Sequence, residues 1–249
     1  MPQHNVPLLE ARHVTRRFGA LVAVDDVSFA VTAGQVFGIA GPNGSGKSTL
    51  FNVMTGIPFA PSSGEVLLSG RPIQNLRPHQ ISRAGILRTF QKDAEFATLT
   101  AFENVYTSAA YCAGLRGEEA RSAAARALDD VSLPNPRRGL AARELSVFER
   151  KQLMIASAIA SQPKVLLLDE PAAGLTKPEV AGLADLIRTV RERGITIVLI
   201  EHVLPLLLGV SEHLMVLNQG RIIASGAPDS VVKDPNVIEA YLGSREVAA

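Results

Sequence analysis

Cysteine occurs once in this 249-residue chain, at Cys112, and tryptophan does not occur at all. A single cysteine excludes an intramolecular disulfide framework and any metal cage built from cysteines alone. Charge of one sign is equally scarce: 25 Lys and Arg stand against 24 Asp and Glu, a formal net charge of +1. That balance speaks against a polybasic nucleic-acid binder. No apolar run approaches the roughly 18 residues of a membrane-spanning helix, and the longest, around Val203 to Val210, is too short. The opening Met-Pro-Gln-His-Asn has no basic stretch leading into an apolar one, so no secretory leader is expected. With 47% apolar residues, the expectation is a soluble chain of a reducing compartment, large enough to bury a sizeable core.

The pattern along the chain alternates between strand and helix signals. Val22, Val24, Val27, Phe29 and Val31 give a broken alternation, and Val36 to Ala40 form a short apolar run. A glycine-rich loop and a helix from Lys47 to Thr55 follow. Gly56 to Gly64 reads as loop, then Val66 to Leu68 as strand ending in a Ser69-Gly70 turn. From Thr98 to Ala142 the composition shifts to Ala, Arg and Glu, with a helix predicted over Glu118 to Val131 and stopped by Pro134-Asn135-Pro136. After Ser146 the alternation returns. Val165 to Leu168 and Ile195 to Ile200 are continuous apolar runs of the buried parallel type. Between them Thr176 and Glu179 form a capping box for a helix with Val180, Leu183, Ile187 and Val190 on one face. Leu214 to Leu217 and Arg221 to Ala224 read as a hairpin. Together these predict one α/β domain with a helical insert.

Gly41-Pro42-Asn43-Gly44-Ser45-Gly46-Lys47-Ser48 is a P-loop pattern in its required context, strand before and helix after. Its glycines let several backbone N–H groups converge on one anion, and the helix start adds its dipole. Lys47 is expected at the β- and γ-phosphates, Ser48 on Mg²⁺ and Thr49 at the α-phosphate. The acids closing Val165-Leu166-Leu167-Leu168-Asp169-Glu170 supply the complement. Asp169 is placed to hold a Mg²⁺-bound water, and Glu170 to orient or deprotonate the attacking water.

With four further elements in order, the whole chain resembles the ATP-binding subunit of an ABC transporter. Phe18 precedes Lys47 by 29 residues, where that family has an aromatic that stacks on adenine. Gln91, in Arg88-Thr89-Phe90-Gln91, is similar to the glutamine that senses Mg²⁺ and the membrane partner. Ala173-Gly174-Leu175-Thr176 occupies the D-loop, with Thr176 where many relatives carry Asp. His202 matches the switch histidine that contacts the γ-phosphate. Phe18-Gly19-Ala20-Leu21-Val22-Ala23-Val24, Glu170-Pro171-Ala172-Ala173-Gly174, Glu201-His202 and the tail from Asp234 to Gly243 are similar to branched-chain amino-acid importer subunits.

The resemblance implies a P-loop NTPase core of RecA-like type, about 1–93 and 155–249, with an N-terminal antiparallel β-subdomain and a helical subdomain at about 94–154. It implies ATP and Mg²⁺ as cofactors, Glu170, His202 and Gln91 as catalytic residues, and Ser48, Gln91 and Asp169 at the metal. The implied partners are a second ATPase subunit (identical or not), two transmembrane permease subunits and, indirectly, a solute-binding protein. The implied place is the cytoplasmic face of the membrane. ATPases for lipid or lipopolysaccharide export and soluble ABC ATPases are the alternatives.

One segment departs from the pattern. Where the family signature reads Leu-Ser-Gly-Gly-Gln, this chain has Leu145-Ser146-Val147-Phe148-Glu149. The family's segment, Ser146 here, touches nucleotide held by the opposite subunit. A Phe in place of the fourth-position glycine is expected to obstruct close backbone approach, whereas Ser146 and Glu149 also fit a plain capping box. Phe96, Leu99, Phe102 and Tyr106 form an apolar stripe in the insert, read either as core or as a groove for a short helix of the membrane partner.

Overall fold

The computed structural model describes the backbone of residues 7–89 and 95–246, and side chains as far as Tyr241. The N-terminal strands are β1 (Leu9–Phe18), β2 (Leu21–Val31) and β3 (Val36–Ala40), after which the P-loop feeds α1 (Lys47–Thr55). Next come β4 (Ser63–Leu68), β5 (Arg71–Pro72), α2 (Pro78–Ala84) and β6 (Ile86–Arg88). The insert holds α3 (Ala101–Tyr111), α4 (Gly117–Asp130), the single-turn α5 (Asn135–Arg138) and α6 (Val147–Ile159). The chain then alternates through β7 (Val165–Asp169), α7 (Lys177–Glu192), β8 (Thr196–Ile200) and α8 (Leu204–Val210). It ends with β9 (His213–Asn218), β10 (Arg221–Gly226), α9 (Pro228–Val231) and α10 (Pro235–Glu246).

These strands make two sheets. An antiparallel one has the order β2-β1-β4-β5; the other has the order β10-β9-β3-β8-β7-β6. In the second, β6, β7, β8, β3 and β9 run parallel, and only β10 turns back. Every residue of β3, β7 and β8 is buried, which is why these segments are apolar throughout rather than alternating. One core lies between the two sheets around α1, through Phe37, Ile39, Leu50 and Phe51. The other lies on the opposite face, where Leu153, Leu166, Leu183 and Leu199 join the insert and α7 to the large sheet. The architecture is the α/β P-loop core with antiparallel β-layer and helical insert that the sequence implied.

The strand and helix expectations hold with shifts of a residue or two, and α6, capped by Ser146, ends at Ile159. Several elements were not assigned from the sequence, among them β1, α2, β6, α8 and α10. Strand β6 is only three residues long, too short to carry a periodicity. Helix α2 starts on Pro78 and buries only Ile81 fully, so it lacks an apolar stripe. Among the described residues no helix is long and apolar enough to cross a membrane.

The parallel strands matter most for position. Because β3, β6, β7 and β8 point the same way, their carboxyl ends share one edge of the sheet. Ligands of open α/β sheets bind outside that edge.

Candidate functional site

At that edge, β3 delivers the loop Gly41–Gly46. Gly41 has φ +147, and a Cβ there would lie 2.2 Å from the Leu217 carbonyl oxygen. Gly46 has φ +103, and its Cβ would lie 2.4 Å from the carbonyl oxygen of Ala23. Both positions admit only glycine. The loop is fixed from outside as well: the Gly220 N–H donates to Ser45 O at 2.9 Å, and the Gly41 N–H donates to the Tyr241 hydroxyl at 2.8 Å. No side chain caps α1 and its first turn holds no acid, unlike α6 and α7, which both carry capping boxes. The start of α1 thus keeps its amide donors and dipole for an anion.

Lys47 is buried within the loop. Its Nζ donates to Gly41 O at 2.8 Å and Pro42 O at 2.9 Å, with Ser45 Oγ at 3.4 Å. Burial pulls the ammonium below the usual lysine pKa, against the raising influence of Glu170 and Asp169.

Asp169 ends β7, level with Ile200 of β8. Its Oδ2 accepts from Arg88 Nη2 at 2.6 Å, and Arg88 Nη1 donates to Asn52 Oδ1 at 2.6 Å. Both partners of this ion pair are almost wholly buried, their side chains 7% and 6% exposed. Strand β6 and helix α1 are thereby joined to the acid.

Glu170 turns out of the sheet with a left-handed φ of +48, a conformation costing about 1–3 kcal/mol in a non-glycine residue. Its N–H donates to Ile200 O at 2.9 Å, and its Oε1 lies 2.7 Å from His202 Nε2. Phe18, Leu21, Ala23, the loop from Asn43 to Thr49, Glu170 and His202 line one cleft of about 320 Å³. Phe18 stands at its mouth, 40% exposed, edge-on to Phe59 with the Arg16 guanidinium 4.6 Å from its ring centre.

Of the residues singled out from sequence, Phe18, Asn43 to Thr49, Glu170 and His202 meet in that cleft; Gly41 and Pro42 do not line it but accept from Lys47 Nζ, and Asp169 lies at a nearby strand end. Gln91 lies outside the described residues. Ser146 lines none of this cleft, since it caps α6 in the insert; its N–H donates to Glu149 Oε2 at 2.7 Å, and its hydroxyl accepts from the Glu149 N–H at 3.3 Å. Glu149 also takes a two-pronged contact from Arg137, at 2.5 and 2.9 Å, which holds its carboxyl below the usual range.

The Phe148 ring is turned onto α7, where its Cζ would be 3.0 Å from a Cβ on Gly182. It joins the core as a half-buried residue. Gly182, inside α7, leaves room for the ring. Phe148→Ala is therefore expected to lower stability by about 1–2 kcal/mol, a partial share of a buried aromatic's worth, and to leave the nucleotide hydrolysis that the sequence resemblance implies no faster. Urea unfolding beside steady-state phosphate release checks both halves. Faster hydrolysis at unchanged stability would show that the ring obstructs the opposite nucleotide.

Arg88, Tyr241, Asn52 and Glu201 are the site residues that sequence reasoning did not assign. Burial raises the Tyr241 phenol above its ordinary pKa, opposed by the Gly41 N–H. A tyrosine 200 positions from its partner leaves no local signal. Glu201 did carry one, being a charge directly after an apolar strand, whereas Arg88 closes a strand too short to announce itself.

Comparison with known proteins comes to the same place. A family model described as ABC transporter matches residues 24–173, and one described as branched-chain amino acid ATP-binding cassette transporter matches residues 221–247. The chain is 40% identical to the high-affinity branched-chain amino acid transport ATP-binding protein BraF of Pseudomonas aeruginosa, over 95% of this chain and 98% of that one. It is 34% identical to the lipopolysaccharide export system ATP-binding protein LptB of Acidithiobacillus ferridurans, over 96% and 98%. The crystal structure of the ADP conformation of MJ1267, an ATP-binding cassette of an ABC transporter, superposes with a TM-score of 0.87 at 32% identity, covering 95% of this chain and 99% of that one.

Proposed function

The chain belongs to the ABC transporter family of ATP-binding proteins, and from that premise we propose that it is the ATP-hydrolysing subunit of an importer for branched-chain amino acids or related small polar solutes. The observation that carries this is the single cleft holding Phe18, the P-loop, Glu170 and His202, with the acid and the imidazole 2.7 Å apart. The match of residues 221–247 to a branched-chain transporter model favours import of such solutes over lipopolysaccharide export.

In this mechanism Phe18 offers its exposed face to adenine. The loop amides and the start of α1 receive the phosphates, and Lys47 exchanges its two loop carbonyls for β- and γ-phosphate oxygens. Ser48 and Asp169 offer a hydroxyl and a carboxylate, the hard oxygen donors that suit Mg²⁺, and with Gln91 they would hold it. Held there, the ion would supply positive charge against the phosphate oxygens. Glu170 orients the attacking water and accepts its proton; His202 fixes the Glu170 carboxylate and faces the γ-phosphate. The gain in rate is mostly positioning and charge stabilisation. A second subunit closes over the cleft with its own signature segment, and this chain's Ser146 segment serves the partner's nucleotide. Two permease subunits, and through them a solute-binding protein, complete the assembly at the cytoplasmic face of the membrane. Reconstituted vesicles test the reading: ATP inside must drive uptake of a solute delivered by the binding protein, and uptake without hydrolysis would defeat it.

The permease docks, in the same proposal, beside Phe96. That ring is 57% exposed and borders a cleft of about 210 Å³ shared with Leu87, Met154 and Ala158. Phe102 and Tyr106 pack against the core instead, so the docking face narrows to the Phe96 end of the stripe. Cysteine at position 96 should crosslink to a coupling helix of the permease once the exposed Cys112 is replaced. Absence of any crosslink in an active complex would exclude this face.

A further inference from the structure

Glu201 is a buried acid for which hydrolysis has no direct use. Only 2% of it is exposed, yet its carboxylate accepts three backbone hydrogen bonds from two separate loops. Oε1 accepts from the Ala172 N–H at 2.6 Å, and Oε2 accepts from the His202 N–H at 2.8 Å and the Val203 N–H at 3.1 Å. A carboxylate taken out of water is costly unless donors surround it, and here backbone amides supply them.

The two loops follow neighbouring parallel strands, β7 and β8. The first carries Glu170, two residues before Ala172; the second carries His202, adjacent to Glu201. Each needs support. Glu170 sits in a left-handed conformation that persists only where its surroundings impose it. The His202 side chain is 38% exposed, so packing alone does not fix the ring.

We propose that Glu201 is a positioning residue for hydrolysis: its one carboxylate ties the loop after β7 to the loop after β8, so that Glu170 and His202 move as a unit. This rests on their being the hydrolytic pair. Any displacement of the Ala172–Thr176 segment by a second subunit is then passed through the carboxylate to the backbone of His202. Closure of the dimer and alignment of the histidine become one event.

Two variants separate the tie from a general loss of fold. Glu201→Asp keeps the charge and still reaches the amides one and two residues on, but falls short of Ala172. Glu201→Gln keeps the length and sets an NH₂ donor against amide donors. Amide-resolved hydrogen exchange on the full chain should show Ala172 losing protection by on the order of tenfold in Glu201→Asp, with β7 and β8 unchanged. In the assembled transporter, kcat should fall roughly tenfold in both variants while KM for ATP holds, because the P-loop is untouched. Adding Glu201→Asp to His202→Ala should cost nothing beyond His202→Ala alone, since the tie works by setting the imidazole against Glu170 and has nothing to set once the imidazole is gone. Unchanged protection at Ala172, protection lost throughout β7 and β8, or a further multiplicative loss in the double variant would each overturn the tie. A wild-type complex that hydrolyses no ATP would refute the hydrolytic reading instead, and the exchange measurement would then decide the tie without turnover.

Discussion

Lys47→Ala is expected to weaken ATP binding by about a thousandfold, below detection in an ordinary equilibrium titration. The side chain donates to two loop carbonyls at 2.8 and 2.9 Å, so its charge already sits inside the curl of the loop. Moving it onto phosphate oxygens needs no backbone rearrangement. Two charge-assisted hydrogen bonds at ~2 kcal/mol each amount to ~4 kcal/mol, hence the thousandfold. Lys47→Arg is expected to fail as well, because a planar fork cannot enter a space shaped for a compact ammonium. Titration with a fluorescent ATP analogue is the measurement, paired with a melting curve to show that the variant is folded. Affinity within tenfold of wild type would remove Lys47 from the site.

Glu170→Gln should do the opposite to binding and the same to turnover. The amide keeps the size of the side chain and can still meet His202 Nε2, which lies 2.7 Å from the acid, but it cannot take a proton from water. General-base catalysis contributes roughly 10²–10⁴ in rate, so hydrolysis should drop by about a thousandfold with ATP affinity intact. ATP that binds and persists should hold two cassettes together, giving a species of doubled mass on size exclusion with ATP but not with ADP. Wild-type turnover by the variant in the assembled complex would mean that another group activates the water. Nucleotide retention separates the two substitutions: Lys47→Ala loses ATP, and Glu170→Gln keeps it.

The nucleotide cleft was legible because its parts are local. A P-loop is eight consecutive residues whose backbone does the binding, and Asp169-Glu170 is the end of a strand whose burial shows in its composition. The helices announced themselves through the capping boxes at Ser146 and Thr176 and the alanine-rich stretch of α4. What stayed hidden depends on chain segments that meet only in the fold. Nothing near Arg88 tells that its guanidinium reaches Asp169, 81 positions away. Phe148 shows the same limit from the other side. Its expected obstruction was argued from the missing glycine at its own position, whereas the ring's direction depends on Gly182 in a different helix. Glu201 was visible as a mark of kinship, and only its three backbone hydrogen bonds turn it into a part with a task.

The Arg88–Asp169 pair bears on the order in which ions enter. An acid already balanced by a buried guanidinium 2.6 Å away, with the Lys47 ammonium in the next loop, presents little net negative potential to an approaching cation. A divalent ion coming alone would meet a neutralised carboxylate and have to shed its strongly held water for small gain. The triphosphate changes that by bringing several negative charges with it. On the proposed reading, a divalent ion would then be expected to arrive with the nucleotide rather than ahead of it, so occupancy of the acid should follow the fraction of ATP that carries the ion.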